Sequence, residues 1–206
     1  MLSQFEELVR PTYPGPSISF SLVDGVRALL ELGANEMGRE RLAKTLGIGN
    51  GAVRTLIKRL ERMGLIERGR SGCRLTKEGQ SVFSELSARI KIGENNGGPL
   101  STDRYTETIL IRGGAIAIKI GLEQRDVAIK EGATGATSLI FKSGKFVIPG
   151  GSSDCEKDFP DVLWERLRIG LKPLDNDLII ICSGSSKQIA SKGAFSIAWT
   201  AIRRIL

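Results

Sequence analysis

Arg54, Thr55, Lys58, Arg59 and Arg62 recur at short helical steps between Asn50 and Met63, interleaved with Val53, Leu56, Ile57, Leu60 and Met63. A helix of about 3.6 residues per turn sorts the two sets into a basic face and an apolar stripe. The chemistry open to that basic face is anion and base recognition. Guanidinium and ammonium groups bond guanine O6 and N7 or pair with phosphates, and a threonine bonds a base or touches a thymine methyl. Asn50, or Gly49, can cap the helix by accepting from a free backbone N–H. Arg68, Arg70 and Arg74 follow in a short hairpin, where they suit phosphates or the minor groove. Asn50, Arg54, Thr55, Lys58, Arg59, Arg62, Arg68, Arg70 and Arg74 are therefore the candidate DNA-binding residues.

Other chemistry is poorly served. The chain has no histidine, which excludes Ser-His-Asp and Cys-His nucleophilic catalysis within it. Cys73, Cys155 and Cys182 lie far apart with no CxxC spacing, so neither a zinc site nor a disulfide framework is expected. No carboxylate pair has an environment readable from sequence. Catalytic residues, metal ligands and cofactors are all expected to be none.

The elements that position the basic face read as helix, tight turn, helix and two-stranded wing. Leu42, Ala43 and Leu46 share one face of a short segment from Arg39. Gly47-Ile48-Gly49 breaks it, with a glycine supplying the left-handed cap. Residues 50–63 form the recognition helix, ended by Gly64. The wing spans 65–75, its strands Leu65 to Arg68 and Cys73 to Leu75 joined by Gly69-Arg70-Ser71-Gly72. Such a unit places its second helix in the major groove. Upstream, Ser21 is expected to cap a helix lined by Leu22, Val23, Val26, Leu29 and Leu30. Glu36-Met37 is expected to add a brief strand to the wing. Pro11, Pro14 and Pro16 stiffen an arm over residues 1–20. A further helix runs from Thr76 to about Ile90, suited to packing on its own domain or on a second subunit.

Charge agrees with this layout. From Arg39 to Lys77 there are eleven basic and three acidic residues, a net +8. The whole chain carries 30 basic and 23 acidic residues, a net +7, so the remainder is near neutral. A concentrated basic patch is the footprint of a nucleic-acid binder.

Gly93 to Pro99 is polar and glycine-rich, and marks a linker over 93–103 between a domain at 1–92 and another at 104–206. The second half mixes strands and helices. Strands are expected at Thr108–Arg112, Ala115–Ile120, Ser138–Lys142, Lys145–Ile148 and Leu178–Cys182. Helices are expected at Leu122–Glu131, Pro160–Leu171 (with Val162, Leu163, Leu167 and Trp164 inward) and from Lys187 to the C-terminus. The fold class is α+β (α/β): an N-terminal winged helix-turn-helix domain followed by a small mixed α/β domain. Gly184, Ser185, Ser186 and Lys187, between a buried strand and a helix start, are the candidate ligand-binding residues for a small anionic ligand. The Walker spacing is absent.

The runs GPSISFS (15–21), MGRERLAKTLGIGNGAVRTLIKRLERMGLIE (37–67), LTKEG (75–79) and RDVAIKEGATGATSLIFKSGKFVIPG (125–150) resemble an archaeal family of winged-helix proteins with a C-terminal domain of unknown function. Its members are regarded as transcriptional regulators. The resemblance implies that fold and a regulatory role, and it implies no ligand.

The expected function is thus a DNA-binding transcriptional regulator. It would act as a homodimer on double-stranded DNA, with the C-terminal domain sensing a ligand or setting dimer geometry. One alternative is a small-molecule enzyme of kinase or transferase type fused to a winged helix. Another is a winged-helix protein-docking module. No apolar run approaches the roughly 20 residues of a membrane span, no signal peptide is expected, and three scattered cysteines suit the cytoplasm.

Overall fold

Ser21 opens the first long helix in the computed structural model, which describes residues 2–11 and 18–205. Its hydroxyl accepts from the Asp24 N–H while the Asp24 carboxylate accepts from the Ser21 N–H, a reciprocal capping box. The chain divides into two units, Met1–Ser87 and Ala88–Leu206. The expected arm residues Pro14 and Pro16 lie outside the described residues.

The first unit runs α1 (Leu2–Val9), α2 (Leu22–Ala34), α3 (Arg39–Leu46), α4 (Asn50–Arg62), β1 (Ile66–Arg68), β2 (Cys73–Leu75) and α5 (Lys77–Arg89), whose last residues fall in the second unit. Val53, Leu56, Ile57 and Leu60 of α4 are buried with Leu42 and Leu46 of α3, as their spacing predicts. Gly47 ends α3 in the left-handed conformation, at φ 72° and ψ 29°. Gly49, not Asn50, caps α4: Asn50 is already helical, and no side chain caps that end.

A buried arginine ties the turn to its neighbour. Arg27 of α2 donates to the Leu46 carbonyl at 3.0 Å and the Thr45 carbonyl at 3.3 Å. These are carbonyls of the last turn of α3, which have no N–H donor within the helix. Asp24, fully buried, stands 3.5 Å from the same guanidinium.

The wing strands pair antiparallel, with Glu67 opposite Arg74. The brief strand expected at Glu36-Met37 is a single bridge, Met37 to Cys73. Gly72 makes that approach feasible. Its φ is +138°, and a Cβ there would stand 2.4 Å from the Met37 carbonyl carbon. Thr76 links wing to helix, donating to the Gly64 carbonyl at 2.5 Å and accepting from the Gly79 N–H at 3.0 Å.

The second unit contains β3 (Ile90–Ile92), β4 (Tyr105–Ile111), α6 (Leu122–Lys130), β5 (Gly135–Lys142), β6 (Lys145–Val147), α7 (Cys155–Asp158), α8 (Leu163–Leu171), β7 (Leu178–Gly184) and α9 (Lys187–Ile205). Its five strands form one antiparallel sheet in the order β3-β4-β7-β5-β6. β7 is buried along its whole length because both faces are covered. Ile179 and Ile181 pack with Leu163, Trp164, Leu167 and Leu171 of α8. On the other side, Cys182 meets α9 at Gly193, where a Cβ would stand 2.8 Å from its Sγ.

Three expectations differ from this unit. Ala115–Ile120 is not a strand: Gly114–Ala117 is a 3-10 turn, and Ile116 is 81% exposed. Gly113 at φ +63° turns the chain off the sheet, and the Ala115 N–H donates to the Asn176 carbonyl instead of to a strand. The glycine-rich stretch expected as a linker lies on the sheet. Gly93 N–H donates to the Thr108 carbonyl at 2.8 Å, Gly97 is buried, and the unit boundary falls earlier, between Ser87 and Ala88. Val162, expected inward, precedes α8 and is exposed, whereas Trp164 is buried with its indole N–H donating to the Phe159 carbonyl at 2.7 Å.

Cys73, Cys155 and Cys182 are all buried and free. Burial pushes all three thiols up, and burial together with the charge of Glu107 takes Cys182 to about 12. The folded protein is expected to resist a thiol-alkylating reagent at about pH 8, where only thiolate reacts. All three should label after denaturation. Rapid labelling of Cys182 in folded protein would contradict this burial.

Candidate nucleic-acid interface

Gly51, Thr55, Lys58 and Arg62 fall at i, i+4, i+7 and i+11 along α4, opposite the buried stripe, and all four are exposed. Arg54 is also exposed, on the flank toward the wing. Between that flank and the wing lies an open cleft of about 470 Å³ lined by Arg39, Arg54, Lys58, Arg68, Gly69 and Gly72, with Ile57 and Cys73 as apolar lining.

The predicted basic residues do not act alike. Among the described residues, Arg39, Arg41, Arg54, Lys58, Arg62 and Arg70 have no carboxylate partner within ion-pair distance. Arg59 is instead committed to its own domain. It donates to the Leu8 and Arg10 carbonyls at 2.7 and 2.8 Å, clasping the end of α1, and lies over the Phe20 ring. Arg68 is held by Glu61 through two bonds, Nε to Oε1 at 2.6 Å and Nη2 to Oε2 at 3.0 Å. The Glu61 carboxylate raises the Arg68 guanidinium above its ordinary range. Arg74 is paired with Glu67 at 2.8 Å. The Thr55 hydroxyl donates to the Gly51 carbonyl at 3.1 Å, which leaves its oxygen free to accept and its methyl free for apolar contact.

Sequence reasoning missed these internal pairings. Glu67 and Arg74 face each other because of the hairpin register, a signal present in the turn length. The seven-residue separation of Glu61 and Arg68 spans a helix end and carries no comparable signal.

The candidate residues of the second unit serve mainly its own helix. Ser186 Oγ accepts from the Ile189 N–H at 3.2 Å, so it caps α9. Gly184 lets the loop close over the first turn, where a Cβ would stand 2.8 Å from Ile189 Cγ2. Ser185 and Lys187 are exposed. Among the described residues no group of three or more Cys, Asp or Glu side chains could hold a metal ion, and no helix is long and apolar enough to cross a membrane.

The helices α2, α3 and α4 with the paired hairpin β1–β2, followed by an antiparallel sheet covered on both faces, define a winged helix-turn-helix joined to an α+β domain. Residues 23–81 match the family model of the PH0730-like N-terminal domain, and residues 102–201 match that of a domain of unknown function, DUF4443. The solved structure of hypothetical protein PH0730 from Pyrococcus horikoshii OT3 is similar, with a TM-score of 0.72 and 24% identity over 90% of this chain and 95% of that one. At that identity the likeness concerns the fold. No curated protein matches the chain.

Proposed function

We propose that the chain is a DNA-binding regulator of transcription whose α4 enters the major groove. The observation that carries this reading is the exposed face of α4. It presents Lys58 and Arg62, which have no carboxylate partner among the described residues, beside a cleft lined by Arg39 and Arg54. A face with no internal counter-charge keeps its full attraction for phosphate and base edges. Thr55, Lys58 and Arg62 are the base readers in this reading, with the Thr55 methyl suited to a thymine methyl. Arg39 and Arg54 take backbone phosphates. Two copies would bind a two-fold-related site, as is general for paired recognition helices. In the second unit Ile116, Ile120 and Leu122, close together in the chain, are each more than half exposed, and they would offer apolar surface for that pairing.

The test is binding of the purified chain to duplexes with Lys58→Ala alongside. If Lys58 reads a guanine, the variant should lose about 1–3 kcal/mol on the preferred site and relax preference at one base pair. A uniform loss over all sequences would move Lys58 to phosphate. Unchanged affinity on every duplex would contradict the groove-docked helix.

A further inference from the structure

Two of the three wing arginines are already partnered by carboxylates, and one of those carboxylates belongs to the recognition helix. Glu61 lies seven residues after Arg54, two helical turns on, and therefore on the same flank of α4. Arg68 lines the cleft opposite, and the two side chains meet in a parallel fork at 2.6 and 3.0 Å. Fork geometry with both oxygens engaged is the strong form of an arginine–carboxylate contact. The Glu61 side chain is only 27% exposed, whereas that of Arg68 is 61% exposed.

We propose that Glu61 is a built-in attenuator of duplex affinity: it retains Arg68 at the mouth of the cleft and leaves phosphate contact to Arg39 and Arg54. The proposal rests on the DNA-binding reading above. Its physical basis is a competition. If Arg68 swung to a phosphate, the Glu61 carboxylate would stand bare beside the same row of phosphates, and like-charge repulsion would oppose the exchange. The pair therefore meets the duplex as a neutral edge. Glu67 does the same for Arg74 across the hairpin, where the two residues sit in register. Arg70, in the turn between the strands, is the one wing arginine without a carboxylate partner among the described residues. The device limits non-specific binding, which comes almost wholly from phosphate contacts. Discrimination is left to the crest of α4.

The experiment compares the full chain, Glu61→Gln, Arg68→Gln and the double variant on a preferred duplex and a random duplex, each across a salt series. The pair is exposed enough that breaking it costs little stability, and a thermal melt of each variant checks this. Glu61→Gln should tighten binding to both duplexes by about 5- to 10-fold near 100 mM salt, and steepen the salt slope by about one phosphate contact. Arg68→Gln alone should weaken binding by exposing Glu61. The double variant should return to the wild-type slope. If Arg68 already grips a phosphate in the wild type, Glu61→Gln will leave the slope unchanged. The double variant will then lose about one contact, and the proposal is overturned while DNA binding stands. If the wild type binds no duplex even at low salt, the DNA-binding reading fails and the attenuator falls with it.

Discussion

Duplex affinity is expected to fall by roughly 10³–10⁵ between 50 and 200 mM salt. The size of this effect follows from the unpaired cations. Arg39, Arg41, Arg54, Lys58, Arg62 and Arg70 are exposed and have no carboxylate partner among the described residues. If each protomer places about 4 of them on phosphates, a dimer neutralises about 8 and releases a comparable number of counterions. The three cations withheld from that set, Arg59, Arg68 and Arg74, are each engaged within the protein. Were all of them to reach the duplex as well, the slope would be steeper still. Fluorescence anisotropy of a labelled duplex at stepped salt reads the slope directly. A nearly flat response would contradict a helix docked through these side chains.

Arg27→Met is expected to cost about 3–5 kcal/mol of unfolding free energy, the loss typical when one partner of a buried ion pair is removed. Arg27 is 4% exposed and Asp24 is fully buried. Without the guanidinium the Asp24 carboxylate loses its cation, and the Thr45 and Leu46 carbonyls lose their donor. Those carbonyls end α3, one turn before α4, so the variant should also loosen the angle that presents the basic face. Arg41→Met, at an exposed position of α3, serves as control and should stay within about 0.5 kcal/mol. Chemical denaturation of both variants checks the difference. An Arg27→Met variant as stable as the control would mean that the buried pair contributes nothing net.

The first unit was largely legible in the sequence because its signals are local. The Gly47-Ile48-Gly49 break, the stripe from Val53 to Leu60 and the glycines around the wing each act within a few residues, and the structure places helices, turn and hairpin there. The second unit was legible where burial is two-sided, as at Leu178 to Cys182. It misled where a period-two pattern lacked a partner strand, as at Ala115–Ile120, which leaves the sheet after Gly113. The glycines at 93, 97 and 98 suggested a linker by composition. Their small size instead lets the chain lie close to β4, β7 and α8, a long-range packing fact that composition does not encode. At the candidate interface, which residues share the α4 face was readable from periodicity. Which of its cations are already partnered was not: the Arg59 contacts reach back to Leu8 and Arg10, and the Glu61–Arg68 pair crosses from helix to wing.

Selection of bound sequences from a random duplex pool, with the purified full chain at moderate salt, tests the central claim most directly. A motif made of two related half-sites is expected, lost or relaxed at one base pair when Lys58→Ala is used in place of the wild type. Recovery of no motif, with identical behaviour of the wild type and Lys58→Ala, would contradict sequence reading by α4.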